Sequence, residues 1–187
     1  MGSNWPTNGE IDIFEAANMQ GQSQFSLHTL NGCQHPPASS STFETGNLIS
    51  TDCFNQTANN EGCLVQAPSQ VSYGPGFAAA GGGAYAMLWN NTGISMWFFQ
   101  RSSIPSDLPS NSPNPAAWGT PIAFYPQSSC DFSKFFGPQT LILVRSTVDL
   151  CQVAIPLPYA NPAIRTSIFA VVSGWEHSTK LVRRAIA

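Results

Sequence analysis

Charged side chains are scarce in this chain. Only 9% of its 187 residues are Asp, Glu, Lys or Arg, against about a quarter in an average soluble protein. Ten acidic residues outnumber seven basic ones, and the net charge of −3 provides no basic patch of the kind that binds the phosphates of nucleic acid. We therefore expect no nucleic-acid partner.

Long hydrophobic runs are also missing. No apolar stretch approaches the ~20 residues that a membrane-spanning helix needs, so we expect no membrane partner. The first residues lack the basic segment and apolar core of a secretory signal peptide. The sequence passes directly from Met1-Gly2-Ser3 into its most distinctive motif.

The composition that remains is typical of a globular all-β protein with long loops. Hydrophobic residues make up 42% of the chain and aromatic residues 11%, with 15 glycines and 15 prolines. Gly and Pro at this level favour turns over helices, and 187 residues are enough for one domain. In a soluble chain this composition suits a secreted protein.

The distinctive motif covers residues 5–15, with the sequence WPTNGEIDIFE. Glu10 and Asp12 alternate with two isoleucines, as in a strand that has one buried face. Simple alternation would turn Glu15 toward the core and bury an unpaired carboxylate. One extra residue around Ile13-Phe14, a β-bulge, would return Glu15 to the face of the other two acids. The pattern therefore predicts three carboxyl groups on one exposed face.

Two carboxyl groups that flank a glycosidic bond can hydrolyse it. One acts as the nucleophile and the other as a proton donor with a raised pKa, about 5–5.5 Å apart when the reaction retains the anomeric configuration. Asp12, between the two glutamates, would hold their pKa values apart. The alternative reading of this motif is a surface strand with solvated acids.

A second strand is predicted just after the motif. Residues 24–29 alternate, with Phe25 and Leu27 inward and His28 on the opposite face. The short connection favours antiparallel pairing with the first strand. That pairing would bring His28 to the acidic face, although a lone histidine can equally be a structural or solvated one.

Two blocks of this sequence resemble glycoside hydrolase family 16, in the bulged form found in laminarinases, the fungal endo-β-1,3(4)-glucanases. The first block is GEIDIFE at residues 9–15 and the second is residues 76–105, including FFQRSSIP. The resemblance implies that Glu10 is the catalytic nucleophile, Asp12 its assistant and Glu15 the acid/base. It also implies that Trp5 and His28 contribute to substrate binding.

The same resemblance implies the fold and the reaction. A concanavalin-like jelly-roll β-sandwich with long loops is expected, catalysing retaining endo-hydrolysis of a laminarin-like β-1,3(4)-glucan without a metal or organic cofactor. The expected partner is this polysaccharide, the protein a monomer, and the full-length family member extracellular. Two alternatives stay open: a non-catalytic glucan-binding remnant, and a β-glucan transglycosylase in which a sugar hydroxyl replaces water.

The resemblance extends over only part of the family domain. Family members place several strands before the signature, so we expect an incomplete sandwich, truncated at the N-terminus, with low or no hydrolysis by this chain. Residues 1–143 contain two basic and eight acidic side chains, whereas residues 144–187 contain five basic and two acidic ones. We therefore predict a partial catalytic domain over 1–143 and a divergent tail over 144–187 that is not part of the fold.

Residues 33–72 are predicted to be mainly loop, with one short strand near Leu48-Ile49. Cys33, Cys53 and Cys63 lie in this segment, and disulfides are the expected means of fixing so long a loop. Zinc is disfavoured because the spacing lacks a Cys-x₂-Cys pair. If four of the five cysteines pair, Cys151 is the odd one; the pairing itself stays open.

The remaining segments predict further strands. A hairpin is expected over residues 84–101, whose second strand has apolar residues on both faces and so lies between two packed layers. Trp89 and Trp97 are expected in the core. An irregular surface loop should follow over 102–121, then strands over 121–125 and 141–144, with a short helical turn capped by Asp131 between them.

Overall fold

The computed structural model describes residues 1–16, 20–38, 43–110 and 112–142. It also describes the backbone of the strand residues 143, 153–156, 166–173 and 180–186. Within these residues lie two short α-helices, α1 (Gly74–Ala79) and α2 (Phe132–Phe135). The strands are β1 (Glu10–Glu15), β2 (Gln24–His28), β3 (Asn47–Leu48), β4 (Cys63–Gln66), β5 (Gly83–Trp89), β6 (Gly93–Gln100), β7 (Ala123–Pro126), β8 (Thr140–Leu143), β9 (Val153–Pro156), β10 (Thr166–Ser173) and β11 (Lys180–Ile186).

The strands form antiparallel sheets, which confirms the predicted all-β class. A first sheet has the order β1-β2-β4-β3 and a second the order β11-β10-β5-β6-β7, while β8 and β9 pair separately. The predicted pairing of the first two strands is present, with Glu10 opposite His28 and Asp12 opposite Ser26. The predicted hairpin is β5-β6, closed by a turn at residues 90–93.

The main hydrophobic core lies between the first and second sheets. Phe25 and Leu27 from β2 and Val65 from β4 share one buried cluster with residues of β5, β6 and β7. The hydroxyl of Tyr125 on β7 donates to the carbonyl oxygens of Phe25, at 2.8 Å, and Cys63, at 3.1 Å. Side chains of two sheets that fill one core form a β-sandwich, as predicted.

The strand β6 is covered on both faces, as its sequence predicted. Ile94 and Met96 belong to the main core, whereas Trp97 belongs to a second cluster on the opposite face. Leu108 and Trp118, 2% and 8% exposed, complete that second cluster. The segment 102–121 is therefore not only a surface loop, because two of its apolar side chains cover the outer face of the sheet.

Before residue 143, the strand β4 and the helix α1 were not predicted. Residues 63–66 form β4, which pairs with both β2 and β3, inside a segment that we expected to be loop apart from one short strand. Its four residues, CLVQ, are too few for a strand pattern to stand out from the polar residues around them. The helix α1 lies within the glycine-rich stretch that precedes β5.

Four cysteines form two disulfides, as expected of so polar a loop region. Cys33 is bonded to Cys130, and Cys53 to Cys63. All four are buried, three of them completely. The first disulfide ties the start of the long loop to the segment before α2, and the second closes a loop of its own. Cys151 lies outside the described residues.

The predicted tail includes three strands. β10 pairs with β5, from Ser167 opposite Trp89 to Ser173 opposite Gly83, and β11 pairs with β10. Backbone pairing therefore continues past residue 143. The division into a partial domain and a divergent tail stays a prediction, since strand pairing does not decide the origin of a segment. Across the described residues, no helix has the length and hydrophobicity to span a membrane.

Candidate active site

The strand β1 contains the bulge that its sequence predicted. Asp12 lies opposite Ser26 and Glu15 opposite Gln24, so three residue steps on β1 match two on β2. The extra residue falls at Ile13-Phe14. It reverses the phase of the strand and returns Glu15 to the face of Glu10 and Asp12.

The three acids line one open cavity of about 340 Å³. The cavity lies on the face of the first sheet that points away from the main core. Its lining residues are Glu10, Asp12, Glu15, Gln24, His28, Asn60, Glu61 and Leu64. Four of the five predicted site residues thus meet in one place.

The fifth predicted site residue, Trp5, contacts Glu10 directly. Its indole Nε1–H donates to Oε2 of Glu10 at 2.7 Å. Trp5 is 40% exposed, so one part of the ring faces solvent while its polar edge holds the carboxylate. An indole in this position can both orient an acid and offer a flat apolar surface to a sugar.

Burial raises the pKa of both Glu10 and Glu15 above that of a free glutamic acid. The negative charge of Asp12 raises both pKa values further, and the positive charge of His28 opposes it. The hydrogen bond from Trp5 lowers the pKa of Glu10 only. The negative charge of Glu10 in turn raises the pKa of Glu15. The Trp5 contact is thus one of the differences between two similar surroundings.

A buried polar network supports Asp12 from below. His28 Nε2 lies 2.9 Å from Asp12 Oδ2, and the Ser26 hydroxyl donates to the same oxygen at 2.8 Å. Ser26 and His28 are 1% and 6% exposed. The face of β2 that we predicted to be polar is thus covered, and its polar groups are paired with one another.

Both ring nitrogens of His28 have acceptors. Nε2 faces Asp12, and Nδ1 lies 3.1 Å from Oδ1 of Asn60. Burial by itself lowers the pKa of His28, but the hydrogen bond and charge of Asp12, with help from Glu10 and Asn60, raise the pKa above 6.5. A histidine that donates from both nitrogens is the imidazolium cation.

Four lining residues were not among the predicted site residues: Gln24, Asn60, Glu61 and Leu64. Asn60 and Glu61 come from the loop between Cys53 and Cys63, which has no periodicity to indicate what it faces. Its only sequence signal was the ten-residue spacing of the two cysteines. Once these cysteines pair, the loop must turn back on β2 and β4, which carries its tip to the cavity.

The geometry suits acid/base chemistry on a substrate that enters an open cleft. Two glutamates with raised pKa values share the cavity with a charge-paired Asp12. A raised pKa suits a proton donor, and paired carboxylates are the catalytic groups of glycoside hydrolysis.

Comparison with known families also indicates a glycoside hydrolase. A family model described as an XgeA-like, catalytic GH16 domain matches residues 1–164, which is most of the chain. The chain belongs to glycoside hydrolase family 16. The match extends past residue 143, into the segment that we predicted to be divergent.

Individual members of glycoside hydrolase family 16 resemble the chain at about 40% identity. A probable endo-1,3(4)-β-glucanase from Aspergillus fumigatus is 43% identical over 143 residues, which are 76% of this chain and 21% of that protein. The laminarinase 16A of Phanerochaete chrysosporium, solved with β-glucans in its donor and acceptor sites, matches with a TM-score of 0.65 and 42% identity over 71% of this chain and 45% of that one.

A family 16 enzyme with a different reaction is about as similar. The structure of an elongating β-1,3-glucosyltransferase matches with a TM-score of 0.63 and 38% identity, over 72% of this chain and 44% of that one. The neighbouring jelly-roll structures confirm the predicted fold class. The chain spans about a third or less of the length of the curated relatives it matches, 34% of one and 21% of another.

Proposed function

We propose that this protein is a retaining endo-hydrolase of β-1,3(4)-glucans such as laminarin. The observation that supports this most strongly is the bulge in β1, which turns Glu10, Asp12 and Glu15 into one cavity. A regular strand would place Glu15 on the opposite face, and the pair of glutamates would be lost.

In the first step, Glu10 attacks the anomeric carbon while Glu15 donates its proton to the departing glycosidic oxygen. The C–O bond to the leaving sugar breaks, and a glycosyl ester forms on Glu10. In the second step, Glu15 takes a proton from water, and the resulting hydroxide displaces Glu10 from the anomeric carbon. Two inversions give net retention.

The assignment of the two roles follows from the contact that differs. A nucleophile must be ionised while the acid/base is protonated. The Trp5 indole stabilises the ionised form of Glu10 and has no such contact with Glu15. This asymmetry supports Glu10 as the nucleophile and Glu15 as the acid/base. Asp12, charge-paired with His28, raises the pKa of both.

The proposed substrate is a polysaccharide, since an open cavity lets a chain pass through. Trp5 and His28 are proposed to contact the sugar, Trp5 by stacking on its apolar face. We propose that the protein acts as a monomer outside the cell. Two disulfides support an oxidising compartment.

Transglycosylation is the second candidate reaction. The similarity to an elongating β-1,3-glucosyltransferase supports it, because the two reactions share the glycosyl ester and differ only in the acceptor. Product analysis separates them: hydrolysis yields shorter glucans, and transfer yields products longer than the substrate.

The test is release of reducing sugar from laminarin by the purified chain, with Glu10→Gln as the matched control. We expect turnover that is lost in Glu10→Gln, which keeps the shape and removes the charge. Equal rates in both proteins would contradict the proposal. Laminarin binding without Glu10-dependent turnover would instead identify a non-catalytic glucan-binding protein.

A further inference from the structure

The loop closed by Cys53 and Cys63 contacts the His28 ring at Nδ1, the nitrogen that does not face Asp12. Its tip has an unusual backbone, because Ala58, Asn59 and Asn60 are consecutive left-handed residues with φ of 47°, 55° and 66°. Left-handed runs of non-glycine residues persist only where the surrounding structure imposes them.

Several bonds fix the base of this loop. The disulfide joins its two ends, and the Asp52 carboxylate accepts from Thr57 Oγ1 at 2.9 Å and from the Phe54 amide at 3.1 Å. Asn55 N donates to the Thr29 carbonyl at 3.0 Å, one residue beyond His28. The loop and the histidine strand are therefore held together as one unit.

The loop meets the His28 ring at two points. Asn60 Oδ1 lies 3.1 Å from Nδ1. Beside it, Gly62 is so close to the ring that a Cβ on that residue would lie 2.8 Å from Cε1 and 2.9 Å from Nδ1 of His28. The ring thus has Asp12 on one nitrogen and this loop on the other.

We propose that Asn60 is a positioning residue, which accepts from Nδ1 of His28 and so holds the imidazolium with its Nε2–H on Asp12. Asn60 itself does not touch the proposed reacting atoms. Its effect on catalysis rests on the proposed function and is electrostatic. His28 faces Asp12 and Glu10 on β1, and Glu15 and Glu61 line the same cavity.

The expected consequence has a definite sign. Without the Asn60 acceptor, the protonated form of His28 loses a partner and its pKa falls. With Nδ1 no longer held, the imidazolium also moves away from Asp12, so that its positive charge opposes Asp12 less and the pKa values of Glu10 and Glu15 rise. The low-pH limb of the activity profile, where Glu10 becomes protonated, should move to higher pH.

Three variants isolate the side chain from the backbone. Asn60→Gly tolerates the left-handed conformation but removes the acceptor, whereas Asn60→Asp keeps an acceptor oxygen. Asn59→Gly is the matched control, because it changes the neighbouring left-handed residue, which is absent from the cavity lining.

The primary measurement is the pKa of His28 by NMR titration of the substrate-free protein, with its signal assigned by its loss in His28→Gln. We expect Asn60→Gly to lower this pKa by about half a unit or more, and Asn60→Asp and Asn59→Gly to leave it at or above the wild-type value. Unchanged pKa in a folded Asn60→Gly protein, or an equal fall in Asn59→Gly or Asn60→Asp, would overturn the proposal.

The second measurement is kcat and KM for laminarin against pH. A low-pH limb that moves upward in Asn60→Gly, with rescue by Asn60→Asp and little change in KM, supports the catalytic consequence. An unmoved limb despite a lowered His28 pKa would overturn that consequence. Because the titration needs no substrate, failure of the proposed reaction would leave the first result readable.

Discussion

A hydrogen bond from Trp5 helps to separate the roles of Glu10 and Glu15, two residues in similar surroundings. Both pKa values are raised by burial and by Asp12, and both are lowered by His28. Only Glu10 accepts the Trp5 indole N–H, at 2.7 Å. Trp5 is therefore expected to matter for the chemistry as well as for contact with the sugar.

Replacing Trp5 by Phe should move the low-pH limb of activity upward. Phe retains an aromatic surface but cannot donate, so the pKa of Glu10 rises and the nucleophile is protonated at higher pH. A hydrogen bond to a charged group is worth about 1.5–3 kcal/mol, and partial exposure reduces this, so kcat/KM should fall about tenfold. The measurement is kcat/KM for laminarin as a function of pH.

Trp97→Phe is the control for that experiment. It removes another indole N–H, which donates to Gly119 O at 3.1 Å in the second cluster. It should lower stability and leave the low-pH limb in place. A Trp5→Phe profile that falls uniformly without moving would show that Trp5 acts through stacking alone.

His28 should make the stability of the protein depend on pH. Its folded-state pKa is raised by Asp12 despite burial, so the stabilisation is fully present below its ordinary pKa and is lost as pH rises through the folded value. The difference in Tm between wild type and His28→Gln should therefore be larger at about pH 6 than at about pH 9. Thermal unfolding at both pH values checks this; a difference that grows with pH would contradict it.

At the scale of elements, β1 was predictable and the loop behind it was not. The alternation of acids and isoleucines indicates a strand, and the odd position of Glu15 indicates a bulge; both depend on residues next to one another. The contact between Asn60 and His28 joins residues 32 apart. It depends on a disulfide whose pairing the cysteine spacing could not decide.

Gly62 and Gly119 allow a test of how tightly that loop is packed. Both have positive φ, of 72° and 80°, but a Cβ on Gly62 would contact His28, whereas one on Gly119 would meet nothing within 4 Å. We expect Gly119→Ala to cost about 1 kcal/mol from backbone strain, and Gly62→Ala about 2–4 kcal/mol because overpacking is added. Denaturant unfolding measures both; equal costs would show that the loop yields freely.

The two disulfides should have separable effects. By loop length, removing Cys33–Cys130 should cost about 4–5 kcal/mol and removing Cys53–Cys63 about 2–3 kcal/mol. Only the second bond closes the loop that holds Asn60. The double-alanine variant of Cys53 and Cys63 should therefore lower the pKa of His28, while that of Cys33 and Cys130 loses more stability but leaves this pKa in place.

Denaturant titration and NMR titration of both double variants provide the test. If removing Cys33–Cys130 lowered the pKa of His28 as much as removing Cys53–Cys63, the effect would be a general loss of packing. The interpretation of the smaller loop as a support for His28 would then be wrong.

For the whole molecule, the sandwich follows from apolar residues on both faces of β6. Ile94 and Met96 face the main core, and Trp97 faces the second cluster, so the sheet is covered on both sides. The sequence predicted that β6 is covered on both faces, because the apolar residues that show it are neighbours within one strand. It did not indicate that Leu108 and Trp118 cover the outer face, since an irregular loop has no period that marks its buried residues.

The proposed reaction belongs to this same scale, because it needs the sheet, the bulge and the loop together. The most direct test is the anomeric form of the first product, followed by ¹H NMR during cleavage of a laminarin oligosaccharide. A retaining reaction at Glu10 predicts that the β-anomer appears first, converts slowly to the α-anomer, and is absent with Glu10→Gln. The α-anomer appearing first, or the β-anomer appearing equally with Glu10→Gln, would contradict it.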